Sequence, residues 1–415
     1  MKKTHRNFSH YKTRTSTVLE TVLEHIGVSV RKNTITGLPD CNFGQGWQPL
    51  SDADEAVIRD KINIASGESD AFFTKRQWDD ALTALIERTP HNPLQAFLDQ
   101  YDEAALELSY DEALQVFVDW GKEVLNMPTE MQTVSYGAAL LWVGVIQRGL
   151  NPGCYQRVIP VLVGGQNIGK STALREMLPA DTYRYFQPRL NLFADDYTFY
   201  YGMEGMLLCE VSELVGAAKN DAELFKSRIG EGWDKYRRKY AKRITDNPRT
   251  TFIAATTNGD TPLPKDLTGN TRFLMLPCNV SQDDLLDPER KNIMETMAEW
   301  RDKCWAAALR LYLEGFSAAS LPPELEAEQR IVNEQYTPSD ETMEGRVERY
   351  LEDGGWTGGL RLYEIAESAG VIPVGGDFSS RGKQTELKKI LRRLGAEELR
   401  IKQTDGTSPR LWTLS

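Results

Sequence analysis

The stretch Val158-Ile159-Pro160-Val161-Leu162-Val163-Gly164-Gly165-Gln166-Asn167-Ile168-Gly169-Lys170-Ser171-Thr172 decides the fold. An apolar run of strand length leads into G-x-x-x-x-G-K-[ST], and the helix-forming Ser171–Leu178 follows, which is the context this motif requires. Glycines let successive backbone N–H groups converge on a β-phosphate, helped by the positive end of the helix. Gly164, Gly165, Gln166, Asn167, Ile168 and Gly169 form the expected cradle, with Lys170 and Thr172 beyond it. Lys170 is positioned to reach the β- and γ-phosphates, and the Ser171 hydroxyl to ligate Mg²⁺, so ATP and Mg²⁺ are the expected cofactors. A glycine-rich turn can also simply join strand to helix, but it needs neither this spacing nor both flanks.

Moving outward, Met206–Val211, Thr251–Thr257 and Arg272–Leu276 are further short apolar runs bounded by polar residues. Such runs separated by helical stretches read as an α/β fold whose sheet is covered on both faces. The Met206–Val211 run ends in acids. Glu210 is placed on the metal side and Glu213 on the water-activating side, with the reverse order open and helix capping as the alternative for either one. Asn258 follows the third run, where an amide meets the γ-phosphate and its water. Arg272 opens the last run, and a strand-fixed arginine suits stabilisation of charge at a neighbour's γ-phosphate. A surface salt bridge is the plainer reading of it.

The chain has 415 residues, with 49 basic and 60 acidic side chains and a net charge of −11. It is an ordinary globular composition, and any polyanion surface must be local. Five scattered cysteines without a C-x-x-C pair argue against a zinc site or disulfide framework and for a reducing compartment. Ala138–Ile146 is too short to cross a membrane and reads as a buried helix. Lys2, Lys3, Arg6, Lys12 and Arg14 suggest a mobile basic arm rather than a signal peptide. The expected layout is a mixed region over 1–75, helices over 76–135, the phosphate-loop domain over 136–320 and a terminal domain over 340–415. Within the first region Gly27–Gly37 reads as strand and Leu38–Asp54 as loop. In the last, three helical periods followed by strand-like Glu398–Gln403 and Arg410–Leu414 have the order of a winged helix-turn-helix, after a linker at Thr337–Asp340.

The chain resembles the virulence-associated protein E family of phage, satellite and genomic-island proteins. The resemblance rests on Asn151-Pro152-Gly153, the GGQNIGKST loop, E-V-S-E-L at Glu210–Leu214, D-x-x-R-R-x-Y at Asp234–Tyr240, N-P-R before the third run, T-T-N at Thr256–Asn258, and D-x-T-G-N-x-R-F at Asp266–Phe273. One departure is Thr271 before Arg272, where the family pattern has two adjacent arginines. The resemblance implies a P-loop ATPase core of the AAA+ or superfamily three helicase type. It also implies a homo-hexameric ring drawing single-stranded DNA past a basic hairpin, in replication inside a bacterial host cytoplasm with separate primase or replication proteins. An ATP-switched DNA-binding regulator or replication-interference factor is the alternative.

Local charge agrees with a DNA partner. Lys235–Arg249 holds Lys235, Arg237, Arg238, Lys239, Lys242, Arg243 and Arg249 against Asp246 alone, a net +6, with Tyr236 and Tyr240 interleaved for stacking on bases. Near the C-terminus, Leu387, Ile390, Leu391 and Leu394 form an apolar stripe, which leaves Lys388, Lys389, Arg392 and Arg393 as a surface for duplex or origin DNA. A protein-interaction role is the alternative there.

Overall fold

Alternating apolar strands and amphipathic helices build two units in the computed structural model, residues 1–100 and 101–415. The structure describes residues 13–67, 71–192, 194–212, 228–237, 244–258, 272–288, 290–336, 342–354, 356, 359–372, 378–400 and 410–414.

The first unit comprises α1 (Ser16–His25), β1 (Ser29–Asn33), β2 (Pro39–Asn42), β3 (Trp47–Pro49), α2 (Asp52–Ser66), α3 (Lys75–Ile86), β4 (Pro90–His91) and α4 (Pro93–Leu98). Leu38–Asp54 is therefore not all loop. Its glycines and prolines punctuate two short strands, and β3-β2-β1-β4 form one sheet. The apolar face of α3, with Trp78, Leu82 and Leu85, packs into one core with Leu19, Val22 and Ile58, so the expected boundary at 75/76 falls inside this core. Arg14 is docked rather than mobile: it donates to the Phe72 carbonyl at 2.8 Å and lies over that ring. Lys2, Lys3, Arg6 and Lys12 lie outside the described residues.

The second unit begins with α5 (Asp102–Glu107), α6 (Tyr110–Leu125) and α7 (Gln132–Leu150), followed by β5 (Ile159–Val163) and α8 (Lys170–Glu176). Next come β6 (Phe186–Gln187), α9 (Asp196–Met203), β7 (Leu208–Ser212), β8 (Trp233–Tyr236), β9 (Thr245–Pro248), β10 (Phe252–Thr257) and β11 (Phe273–Pro277). Then α10 (Gln282–Leu286), α11 (Ile293–Leu313) and α12 (Glu326–Glu334) follow. Among the described residues, β11-β5-β10-β7-β6 form a parallel sheet. Its period of two splits the strands between faces. Ile159, Val161, Val163, Cys209 and Val211 join Phe199, Met203 and Val332 in one core cluster. On the other face α7, fully buried over Ala138–Ile146, packs with α6 and α11 through edge-on contacts of Trp142 with Trp120 (5.9 Å) and Trp305 (5.3 Å). No helix among the described residues is long and apolar enough to cross a membrane.

Pro160 sits in this central strand although proline cannot donate to a ladder. The register Ala255↔Val161 makes the missing Pro160 N–H the natural partner of the Ile253 carbonyl. The buried Gln156 side chain fills the gap: Nε2 donates to the Ile253 carbonyl at 2.9 Å and Oε1 accepts the Ile253 N–H at 3.2 Å.

The chain ends in α13 (Met343–Glu352), α14 (Leu362–Ser368), α15 (Arg381–Arg393) and the antiparallel pair β12 (Ala396–Arg400) and β13 (Arg410–Leu414). Val347, Ile365, Leu387, Ile390, Leu391 and Trp412 form their core, as the apolar stripe on α15 requires. The linker Thr337–Asp340 lies outside the described residues.

Candidate nucleotide-binding site

The loop after β5 emerges at the C-terminal edge of the sheet, where parallel α/β folds bind ligands. A Cβ on Gly164 would stand 2.4 Å from the Cys278 carbonyl oxygen, so only glycine fits beside β11's extension. Gly169 caps α8 at φ +95°, a conformation that side chains resist. Lys170 is buried, and its Nζ donates to the carbonyls of Gly164 (2.9 Å) and Gly165 (2.6 Å). Burial draws its pKa down, and Cys278 and Glu210 offset that only in part.

Glu210 is the focus of the site. It is 1% exposed, and its Oε1 accepts from Ser171 Oγ at 2.5 Å and Thr256 Oγ1 at 2.7 Å. The register pairs Ala254 with Glu210 across β10 and β7, which carries Thr256 alongside the carboxylate. A hydroxyl and a carboxylate within hydrogen-bond reach are the hard oxygen donors that suit Mg²⁺. Thr257 pairs with Val163, so Asn258 stands level with Gly164. A cleft of about 480 Å³ is lined by Gln166, Lys170, Arg189, Ser212, Thr257 and Asn258 among others.

Lys170, Ser171, Glu210 and Asn258 are thus gathered at one end of the sheet, with Gly164–Gly169 and Thr172 around them. Arg272 is not. Ile159 N–H donates to the Arg272 carbonyl at 2.7 Å, which fixes this arginine at the N-terminal end of β11. Five residues of extended β5 separate that level from Gly164, roughly 16 Å. Glu213 lies outside the described residues. Arg189, Ser212 and Thr256 were not foreseen. Thr256 could have been read from T-T-N at the strand end, but nothing local marks Arg189.

Among the described residues between β7 and β10, β8 and β9 pair as an antiparallel hairpin, with Lys235 and Arg237 exposed. Arg238, Lys239, Lys242, Arg243 and Tyr240 lie outside the described residues. Two expectations are corrected. Arg249 is buried, not a DNA-facing cation: Nε and Nη2 donate to Asp234 at 2.9 and 2.5 Å, and Nη1 to the Arg228 carbonyl. Tyr236 is stacked on Tyr200 at 5.3 Å rather than left open to bases. The N-P-R and Asn151-Pro152-Gly153 segments meet here. Asn247 Nδ2 donates to the Asp234 and Thr245 carbonyls, and Gly153 N–H to the Arg249 carbonyl at 3.0 Å.

On α15 the four cations also differ. Arg393 is held by Glu344 at 2.8 Å and is not free for DNA. Lys388 and Arg392 face Glu398 at 4.0 and 3.9 Å, with Arg410 at 3.6 Å from the same carboxylate, and Lys389 is exposed.

The family model for the virulence-associated protein E-like domain matches residues 109–338, more than half of the chain. No curated protein matches. Among solved structures, the apo C-terminal region of NrS-1 is similar at 13% identity, over 96% of this chain and 98% of that one, with a TM-score of 0.43. JCV helicase is similar at 13% identity, over 68% of this chain and 80% of that one, with a TM-score of 0.24.

Proposed function

Because the chain belongs to the virulence-associated protein E-like family, and its loop, acid and strand-end amide share one cleft, we propose that it is an ATP-hydrolysing DNA translocase of the superfamily three helicase type. The observation that carries this reading is the convergence of Ser171 and Thr256 on one oxygen of buried Glu210, beside Lys170. Ser171 and Glu210 would hold Mg²⁺, which would supply neutralisation of phosphate charge there. Lys170 leaves the Gly164 and Gly165 carbonyls to bind the same phosphates. Asn258 orients the attacking water and Glu213 accepts its proton, while the bond from the γ-phosphorus to the β–γ bridging oxygen breaks.

Arg272 belongs to a neighbour's site in this reading. It stands at the far end of the sheet from its own loop, which fits sites between subunits, and the homo-hexameric ring is what the family resemblance implies. Lys235 and Arg237, with Arg238, Lys239, Lys242 and Arg243 that follow in sequence, take single-stranded DNA. The last three helices and the β12–β13 pair act as a winged helix on duplex or origin DNA, mainly through Lys389 with Lys388 and Arg392. A separate primase or other replication proteins supply the remaining steps in a bacterial host cytoplasm.

ATP turnover stimulated by single-stranded DNA, together with strand displacement, is the test. A folded Lys170→Ala protein that still hydrolyses ATP refutes the motor reading. Turnover without displacement leaves an ATP-switched DNA-binding regulator instead.

A further inference from the structure

Arg189 follows β6 in a left-handed backbone conformation, φ +56°, which non-glycine residues rarely adopt and which gathers at functional sites. Its neighbours hold it there. Phe186 and Gln187 pair with Leu208 and Cys209 of β7, and Leu190 N–H donates to the Glu210 carbonyl at 2.7 Å. Leu190 and Leu192 are buried, and Arg228 ties down the Leu192 and Ala194 carbonyls. The strained residue is thus clamped on both sides.

Its side chain is exposed and makes no hydrogen bond or ion pair with a described residue. It lines the cleft shared with Gln166–Thr172 and Asn258, and also the adjoining cavity of about 380 Å³ bounded by Ser171, Glu210 and Ser212. Among the described residues lining the cleft, Lys170 and Arg189 are the cations. Lys170 enters from the loop after β5 and Arg189 from the turn after β6, three strands along the sheet, where Arg189 shares the adjoining cavity with Glu210. A metal-bound triphosphate keeps net negative charge, and a planar guanidinium grips phosphate oxygens by two parallel hydrogen bonds.

We propose that Arg189 is a nucleotide-sensing residue of its own subunit, bonding the terminal phosphate from the β6 side of the cleft and so separating triphosphate from diphosphate. This rests on the nucleotide-binding reading of the cleft.

The test measures affinity of the full chain for a non-hydrolysable ATP analogue and for ADP, with magnesium, alongside thermal unfolding. Arg189→Ala should weaken the ATP analogue by about 10- to 100-fold, the scale of one charge-assisted contact, while ADP changes by less than about threefold. Arg189→Gly removes the guanidinium and relieves the backbone, so it should show the same selective loss with a melting temperature raised by about 2–4 °C. Arg189→Lys should restore part of the affinity. If both Arg189→Ala and Arg189→Gly bind the ATP analogue like the parent, or lose ADP equally, the sensing role is overturned. If the parent itself binds neither nucleotide, the reading of the cleft fails first. Loss in Lys170→Ala with none in Arg189→Ala rejects the role of Arg189 alone.

Discussion

Asp234 of β8 and Arg249, the residue after β9, form a buried bidentate ion pair at 2.9 and 2.5 Å at the base of the hairpin. Removing one partner strands a charge in the interior. Asp234→Ala should therefore destabilise the second unit by about 3–5 kcal/mol. Chemical denaturation checks this, and a loss below about 1 kcal/mol would mean the pair does not anchor the hairpin.

Lys170 links pH to the nucleotide cleft. Its pKa lies below the ordinary 10.5 because the side chain is buried. The folded protein therefore gives up this proton before the unfolded chain does, and from this group stability rises with pH between the depressed value and 10.5. Nucleotide affinity should run the other way and fall across that window as the amine loses its charge. Titration of affinity against pH in the parent and in Lys170→Ala tests it. An alkaline limb that survives in Lys170→Ala belongs to another group.

Gln156 substitutes for a backbone donor. Gln156→Ala leaves the Ile253 N–H and carbonyl buried without partners and should cost about 2–4 kcal/mol. Adding Pro160→Ala restores an N–H to the strand and should recover about 1 kcal/mol. A double-mutant cycle by thermal unfolding measures the coupling, and strict additivity would show that the two residues act independently.

Arg272→Ala should keep ATP binding and lose hydrolysis by ~10³-fold or more. Mixing it with Lys170→Ala subunits should restore part of the turnover, since each supplies what the other lacks across an interface. Absence of rescue at every mixing ratio argues for a site closed within one subunit.

The two basic surfaces should separate in salt titrations. Lys235→Ala and Arg237→Ala should flatten the log–log slope for single-stranded DNA by ~0.7 per lost contact, and Lys389→Ala that for duplex by ~0.9. Glu398→Gln should strengthen duplex binding several-fold, because one carboxylate there faces Lys388, Arg392 and Arg410. Duplex affinity unchanged in both the Lys389 and Glu398 variants would assign that domain to protein partners.

The loop and the strands were legible because the motif is contiguous and the strands are short apolar blocks. That pattern puts Glu210 within β7 and Asn258 just after β10, while their roles rest on the chemistry of the side chains. Arg249 misled because counting charge along the chain cannot register burial beside Asp234. Arg189 was illegible for a different reason: an edge strand of two residues and a left-handed turn, fixed by Leu190 and Arg228, bring it to the cleft. The strands within Leu38–Asp54 were hidden by the turn residues that join them.

The ammonium of Lys170 already holds two carbonyl partners within its own loop. An incoming anion therefore exchanges contacts instead of filling vacant ones, so the two carbonyl bonds given up offset part of what each new ammonium–phosphate contact gains. A lone phosphate offers only that trade. On the proposed reading of the cleft, a polyphosphate that also engages the loop amides, Arg189 and, through Mg²⁺, Ser171 and Glu210 gains more than the exchange gives up. On that reading the self-occupied lysine makes the cleft a discriminator by contact number, favouring polyphosphates over small anions.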